Sequence, residues 1–251
     1  MVQTIQETLN SFSTISLAEL GNSSLQERTD TKFIFPESQL PALLSELCPM
    51  YSLLKISDRG INSYETLYFD TDDLQLYKEH HNNKGNRYKI RYRNYTDSGI
   101  CFFEIKFKNN KGRTFKHRLP TPELKRIISG DAASFLHAHT PFLVENFAPR
   151  LTVNYSRITL VSFNAEERIT FDLGLHAGAD GKDYTFGNTV VAELKQSKAG
   201  MSPLKTLMKK NGVRESSISK YCIAMTFIQE GIKANNFKET LTLIQKNVYA
   251  V

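Results

Sequence analysis

The amino-acid sequence predicts an α+β fold with about eight mostly antiparallel strands, helices at the edges of the sheet and a helical C-terminus. Charged and apolar residues alternate along several segments, as side chains do on the two faces of a strand. Turn-forming residues at 97–99 and 109–112 separate three of these segments, which therefore form antiparallel hairpins. Such strands fit a barrel with a polar interior, or a sheet with one large polar cleft.

Alternation and turn signals assign the strands, and helical periodicity assigns the helices. Strands are predicted at residues 31–35, 51–57, 62–70, 87–95, 100–109, 113–119, 151–163, 167–175 and 189–196. Helices are predicted at residues 36–49, 72–82, 122–128, 203–210, 219–229 and 238–248. Residues 1–25 are expected to form one or two short polar helices and a loop.

Length and composition favour one soluble domain. With 251 residues, 40% of them hydrophobic, the chain can bury a full core and is too apolar for a disordered protein. We expect a single domain with a helical segment at 1–25, a barrel at 26–200 and C-terminal helices at 201–251. No apolar run has the roughly 20 residues of a membrane span, and the first residues do not resemble a signal peptide. Three scattered cysteines suit a reducing cytoplasm.

Cations predominate on the charged face of the predicted sheet. Every second residue from 87 to 93 is Arg or Lys, whereas Tyr88, Ile90 and Tyr92 alternate with them and are expected to face a core. The same parity continues through six segments, with these charged or polar residues on one face: Arg87, Lys89, Arg91, Arg93; Glu104, Lys106, Lys108; Lys116, Arg118; Tyr155, Arg157; Arg168, Thr170, Asp172; Glu193, Lys195. Enclosed cations repel one another unless an anion lies between them. The pattern therefore predicts a site for a phosphate-rich anion.

The few acids on this face suggest a metal. Glu104, Asp172 and Glu193 cannot neutralise all of the cations. Mg²⁺ and Mn²⁺ prefer carboxylate oxygens and bridge them to phosphates, so a metal-bound polyphosphate suits this combination.

Two other kinds of site are disfavoured. His80 with His81, and His137 with His139, lack a third metal ligand nearby. A nucleic-acid partner is not expected, because single-strand readers stack bases on exposed aromatic side chains, whereas Phe and Tyr here alternate onto the face opposite the charge.

Seven segments together resemble one family. They are ERTDTKFIF, YETLYFDTDDLQLY, RYKIRYRNY, FFEIKFK, NYSRITLVSF, VVAELKQS and SISKY. Their order and approximate spacing, over residues 20 to 230, resemble the catalytic domain of vacuolar transporter chaperone (VTC) proteins. These are polyphosphate polymerases of the triphosphate tunnel metalloenzyme superfamily. The resemblance implies a closed tunnel and polymerase activity.

The resemblance also implies roles for individual residues. The phosphate-binding, catalytic cations are expected at Lys32, Arg91, Arg93, Lys106, Arg157 and Lys220. Tyr155 and Ser219 are their hydrogen-bonding neighbours, and Glu193 is the metal ligand. Residues that share parity with these are expected to line the tunnel as well: Lys89, Glu104, Lys108, Lys116, Arg118 and Lys195.

One departure from the superfamily favours the polymerase branch. Hydrolases and cyclases open with Glu-x-Glu-x-Lys, whereas residues 28–32 here retain one acid at most, Asp30. The metal would then depend on Glu193 and on Glu104 as a second ligand. Eukaryotic relatives also carry a regulatory SPX domain and membrane helices. Neither is predicted here, so their regulation and translocation are not implied, and nothing in these residues identifies a membrane-protein partner.

The implied reaction transfers the γ-phosphoryl group of ATP or another nucleoside triphosphate to a polyphosphate chain, with Mn²⁺ or Mg²⁺. The attacking phosphate oxygen is already ionised, so cations and a metal can catalyse the transfer without a protein nucleophile. Two alternatives stay open. Water could replace the acceptor, which gives a triphosphate hydrolase, or the chain could be a non-catalytic module that binds polyphosphate or nucleotides.

Overall fold

The computed structural model describes residues 4–20, 29–164, 166–179, 181–197 and 200–248. Within these residues, eleven strands form one sheet. The strands are β1 (Thr14–Ser16), β2 (Thr29–Pro36), β3 (Tyr51–Lys55), β4 (Ile61–Thr71), β5 (Arg87–Tyr95), β6 (Ile100–Lys108), β7 (Thr114–Thr121), β8 (Phe147–Ser162), β9 (Glu167–Ala179), β10 (Lys182–Thr185) and β11 (Thr189–Gln196). The α-helices are α1 (Ile5–Leu9), α2 (Leu17–Leu20), α3 (Leu40–Leu47), α4 (Gln75–His81), α5 (Asp131–His139), α6 (Pro203–Lys210), α7 (Lys220–Ile228) and α8 (Lys238–Val248).

Eight strands form the main path of the sheet, in the order β2-β11-β9-β8-β4-β5-β6-β7. Every neighbouring pair along this path is antiparallel. β3 and β10 extend the sheet at β8 and β9, and β1 pairs with β3 in parallel. The predicted fold class, mostly antiparallel with flanking helices and a helical C-terminus, is confirmed. In the described residues β2 and β7 are the ends of the path, so hydrogen bonds do not close the sheet as the resemblance implied.

The apolar face of the sheet packs against helices. Ile90, Tyr92, Phe103 and Ile105 are fully or almost fully buried beneath α5, as their parity predicted. On the other half of the sheet, α3 and α6 cover β2, β11 and the adjacent part of β9. Helices on the outside thus leave the charged face of the strands turned inward.

Helix α7 packs across one end of the enclosed space. Its buried residues, which include Tyr221 and Met225, share a core with Tyr68, Val191 and Ile34 of the strands. Ile244 of α8 joins the same core, as expected for a C-terminal helix that packs on the sheet. The start of α7 therefore lies beside the charged side chains. None of the helices within the described residues is both long and apolar enough to cross a membrane.

One helix prediction was wrong. Residues 122–128 are irregular, and the helix of this region, α5, begins at Asp131. Leu124 and Ile128 have helical spacing, but each packs into the core from non-helical backbone. The short strands β1 and β10, of three and four residues, were not predicted because they are defined by their pairing with β3 and β9. Residues 21–25 of the predicted N-terminal segment lie outside the described residues.

Candidate functional site

The inner face of the sheet encloses a cavity of about 1380 Å³. Side chains from all eight strands of the main path and from the start of α7 line it. Two carboxylates, Asp30 and Glu193, are the acids among the described lining residues, and cations greatly outnumber them. The lining cations are Lys32, Lys89, Arg91, Arg93, Lys106, Lys111, Arg113, Lys116, Arg118, Arg157, Arg168, Lys195 and Lys220.

Glu104 anchors three cations of β5 and β7 below the cavity surface. Its carboxylate lies 2.7 Å from Arg91 Nη2, 2.5 Å from Lys116 Nζ and 3.1 Å from Arg118 Nε. The strand register explains this cluster, because Glu104 lies directly opposite both Arg91 and Arg118. Burial opposes the charge on Glu104, but Arg91, Arg93 and Lys116 outweigh it and hold the pKa of the carboxyl well below its usual range.

Asp172 anchors two further cations, Arg157 and Lys220. Arg157 donates two hydrogen bonds to it, from Nε to Oδ1 at 2.5 Å and from Nη2 to Oδ2 at 2.9 Å, and Lys220 Nζ donates to Oδ2. Burial opposes the charge on Asp172, but Arg157 and Lys220 hold its pKa well below its usual range. The buried carboxylate thus orients a planar guanidinium and an ammonium that both line the cavity.

Glu193 is the acid that lines the cavity next to lysines. Its carboxylate lies 3.0 Å from Lys195 Nζ, and it pairs directly with Lys32 across the β11–β2 ladder. Burial opposes its charge, but Lys195, Lys32 and Arg157 hold the pKa of Glu193 well below its usual range. Asp30 lies opposite Lys195, so the two lining acids are diagonal neighbours on adjacent strands.

Five lining cations lack a carboxylate within ion-pair distance, as far as the described residues show: Lys32, Lys89, Arg93, Lys106 and Lys111. Burial, and then the charge of Lys32, lower the pKa of Lys106 to about 8. Burial also lowers the pKa of Lys89 well below its usual range, with Lys32, Lys106 and Arg91 contributing. The charged forms of these side chains lack a neutralising acid among the described residues, and a bound anion would stabilise those charged forms.

The two residues just before α7 connect to the cations of the strands. Lys32 Nζ donates to the Ile218 carbonyl at 2.9 Å, and Lys89 Nζ donates to Ser219 Oγ at 2.9 Å. Ser219 is also the N-cap residue of α7, and its hydroxyl accepts from the Cys222 amide. The helix start is therefore part of the cavity wall.

Two buried hydroxyls lie in the wall without a hydrogen-bond partner in the described part of the chain. They belong to Tyr155 and Thr170, and both residues line the cavity. A buried hydroxyl that lacks a partner costs free energy unless a ligand or water meets it. The wall thus contains two neutral, buried hydroxyls beside the cations.

The structure places most of the predicted site residues in this cavity. The residues it brings together are Lys32, Lys89, Arg91, Arg93, Lys106, Lys116, Arg118, Tyr155, Arg157, Glu193, Lys195, Ser219 and Lys220. Lys108 shares their parity, but it is not among the described lining residues. Glu104 is 1% exposed and lies beneath the lining, paired with cations. The sites themselves remain predictions.

Sequence analysis missed aromatic side chains in the lining. Tyr64, Tyr68, Tyr95 and Phe102 all line the cavity, so not every Phe and Tyr alternates onto the face opposite the charge. Phe102 has the parity of Glu104, and Tyr95 has that of Arg93, so strict alternation would have found both. They were missed because the alternation was followed through charged residues and not through aromatic ones.

The acids of the cavity fit a divalent cation only in part. No group of three or more His, Cys, Asp or Glu side chains that could hold a metal occurs among the described residues. Glu193 lines the cavity and is diagonal to Asp30, so it could contribute a carboxylate ligand. Glu104 fits less well, since three cations already contact its carboxylate. This donor set suits a metal that keeps waters and binds with phosphate oxygens, as Mg²⁺ does.

Comparison with protein families gives a match over most of the chain. A family model described as the VTC domain matches residues 27–229. No curated protein matches the chain.

Solved structures give more distant similarity. A candidate adenylate cyclase from Vibrio parahaemolyticus is 15% identical over 77% of this chain and 95% of its own, with a TM-score of 0.47. One from Bacillus halodurans is 16% identical over 76% and 92%, with a TM-score of 0.46. One from Hippeastrum, described as having a dominant triphosphatase activity, is 15% identical over 80% and 97%, with a TM-score of 0.49.

Proposed function

This chain belongs to the VTC domain family, and from that premise we propose that it is a metal-dependent polyphosphate polymerase. It transfers the γ-phosphoryl group of a nucleoside triphosphate such as ATP to a polyphosphate chain inside the cavity. One observation carries the proposal: an enclosed wall on which cations greatly outnumber the two lining carboxylates of the described residues. The cations of such a wall repel one another when no anion is bound, and together they are complementary to a polyphosphate.

Catalysis in this proposal depends on position and charge. The acceptor is a terminal phosphate oxygen that is already ionised at neutral pH, so its attack requires no protein nucleophile or strong general base. Arg91 and Arg157 are held rigidly by buried acids, so their free N–H groups grip phosphate oxygens in fixed directions. Two phosphates held in line react as if at a very high local concentration.

The cations without acid partners bind the anionic phosphate groups of the substrate. Lys32, Lys89 and Lys106 act as point charges, and Arg93 provides a third guanidinium. Negative charge on the transferred group and on the leaving phosphate is stabilised most strongly where water is excluded. Tyr155 and Ser219 add neutral donors at the same wall.

A divalent metal, when bound, neutralises charge on the β- and γ-phosphates. Glu193 would hold it, with Asp30 as a neighbour and phosphate oxygens and water as the other ligands. Mn²⁺ and Mg²⁺ are the proposed ions, since both accept oxygen ligands. The three free cysteines agree with a reducing compartment, and we propose a cytoplasmic location.

The test is incubation of the pure protein with ATP and Mn²⁺ or Mg²⁺, with the products resolved by gel electrophoresis. We expect long phosphate chains. Free phosphate without chains would instead show a triphosphate hydrolase, and binding without turnover would show a non-catalytic module. Either of the last two results would contradict the proposal.

A matched pair of arginine variants ties the activity to the cavity. Arg91→Ala should reduce turnover by roughly 100-fold or more, because it removes a positioned charge that stabilises the transferred group. Arg87→Ala is the control, since Arg87 lies on the same strand with the same parity but is not among the described lining residues. Equal loss in both variants, or none in Arg91→Ala, would argue against the assigned site.

A further inference from the structure

Aromatic side chains cluster at one end of the cavity, where β5 turns into β6. Tyr64, Tyr95 and Phe102 all line the cavity there. The ring centroids of Tyr64 and Tyr95 are 5.0 Å apart, and those of Tyr95 and Phe102 are 5.9 Å apart. We call these three residues the aromatic end.

Apolar side chains extend this end. Ile100, Leu54 and Ile56 also line the cavity, and Ile56 shares a small pocket with Tyr95. The Ile100 side chain is among the large exposed apolar groups. Ile100 lies directly opposite Tyr95 on the paired strand, so the two side chains are immediate neighbours. A wall that is strongly cationic elsewhere is therefore aromatic and apolar here. Phosphate groups alone would gain no favourable contact from such a surface.

The aromatic end also adjoins the cations directly. The Arg93 guanidinium lies 5.9 Å from the Tyr64 ring centroid, and that of Arg118 lies 5.6 Å from the Phe102 centroid. Phe102 lies directly opposite Arg93 in the ladder, a separation of about 5 Å between side-chain origins. A group that contacts Phe102 therefore lies one short linker away from a phosphate held by Arg93.

We propose that the aromatic end binds the nucleobase of the substrate, so that this cavity takes nucleoside triphosphates by their base as well as by their phosphates. The inference rests on the proposed function, because it assigns the orientation of a ligand in the same cavity. A nucleoside triphosphate joins one flat, apolar group to one polyanion through a ribose. The cavity joins one aromatic end to one cationic wall in the same order. The base stacks on Phe102 and meets the Tyr95 ring, which is nearly perpendicular to that of Phe102, edge to face. The triphosphate extends inward past Arg93.

Stacking also predicts how the site selects among nucleobases. Every base has a π-face, so aromatic platforms discriminate poorly among bases. ATP and GTP should therefore bind with similar affinity, whereas a ligand without a base should lose the contribution of the aromatic end.

The test compares two ligands by calorimetric titration, ATP and inorganic tripolyphosphate, at one fixed Mg²⁺ concentration. In Phe102→Ala, the affinity for ATP should fall about tenfold or more, because stacking on an aromatic side chain contributes that much per base. The affinity for tripolyphosphate should change by less than about twofold, since phosphates do not contact Phe102 in this arrangement. Tyr95→Leu should show the same selective loss.

Two controls keep the result interpretable. Phe163→Ala removes an aromatic side chain that is 63% exposed and is not among the described lining residues, and it should leave both affinities unchanged. Phe102→Leu preserves apolar volume if Phe102→Ala folds poorly, and it should still weaken ATP selectively. Thermal melting of each variant checks the fold.

Equal weakening of both ligands, or undiminished ATP binding in Phe102→Ala and Tyr95→Leu, would overturn the inference while leaving the proposed function intact. Failure of the unmodified protein to bind either ligand would instead defeat the proposed function, and the inference with it.

Discussion

Single residues in this site are organised around two buried carboxylates. Glu104 and Asp172 are each about 1% exposed, and each contacts cations from neighbouring elements. Removal of one partner from a buried ion pair leaves an uncompensated charge, which costs far more than a surface pair does. These acids therefore position the cations that face the cavity.

Replacement of Asp172 tests this positioning role. In Asp172→Asn, Arg157 and Lys220 lose their common counter-ion and should move from their fixed directions, so kcat should fall by roughly 100-fold. Steady-state kinetics separates kcat from KM, and Asp172→Glu should restore part of kcat. Asp183→Asn is the matched control, because Asp183 is 70% exposed and lies 3.4 Å from His176. Unchanged kcat in Asp172→Asn would contradict the positioning role.

The direction of the Asp172 pKa shift also determines how its contribution to folding stability depends on pH. Because burial is outweighed by Arg157 and Lys220, the folded-state pKa is lower than that of the unfolded chain. Its contribution to folding stability is then present above about pH 4 and is lost as the pH falls through the lower, folded-state value. Moderate acid should not break this cluster.

At the scale of elements, the end of β4 and the starts of two helices meet at Asp70, which is fully buried. Its carboxylate accepts amide hydrogen bonds from Leu76 and Tyr77 of α4, at 2.8 and 2.9 Å. It also accepts a hydrogen bond from the Tyr221 hydroxyl of α7, at 2.6 Å. Since Ser219 and Lys220 lie just before Tyr221, this one carboxylate links the sheet to the part of α7 that lines the cavity.

Asp70→Ala should therefore destabilise the fold by about 3 kcal/mol or more, because several buried hydrogen bonds are lost together. Denaturant unfolding, followed by circular dichroism, measures the change in the free energy of unfolding. Asp72→Ala is the control, since the Asp72 side chain is 96% exposed and makes an ion pair with Arg150, which contributes less than about 1 kcal/mol. A loss for Asp70→Ala as small as that for Asp72→Ala would refute the linking role.

Element predictions from sequence succeeded where the local pattern was strong. Strand β5 and helix α6 have the predicted bounds, because alternation in the first and amphipathic spacing in the second leave little choice. The helix predicted at 122–128 failed, because the spacing of Leu124 and Ile128 is also compatible with irregular backbone over a core. Short strands such as β10 carry too little sequence signal of their own.

For the whole molecule, the cavity concentrates positive charge that the described acids do not balance. Burial and the charge of Lys32 lower the pKa of Lys106 to about 8 for this reason. Between about pH 8 and the usual lysine value near 10.4, the unfolded chain binds more protons than the native state at this group, so stability of the empty protein should rise with pH there. An added anion should act in the opposite direction, by favouring the charged lysine.

Tripolyphosphate should thus raise the melting temperature at pH 7 and low salt. At about 100 times the dissociation constant, the ligand adds about 2.7 kcal/mol of stability, which corresponds to a shift of about 5–10 °C for a chain of this size. The shift should be smaller at pH 9, where Lys106 has lost its charge, and smaller at high salt. Differential scanning fluorimetry measures it, with acetate at equal ionic strength as the control. An equal shift with acetate, or none with tripolyphosphate, would contradict an anion site.

The sequence by itself determined the alternation of charge along the strands, and with it which side chains share a face. Parity follows from the backbone geometry of any strand, so Arg91, Arg157 and Glu193 could be assigned to one surface without a structure. Tertiary structure alone decided what each charge does on that surface. Strand register and curvature set the neighbours of a side chain, and these placed Glu104 beneath three cations and left Lys106 without an acid partner among the described residues. They also brought Tyr95 and Phe102 to one end of the cavity, because contacts between strands depend on pairing that no local pattern specifies.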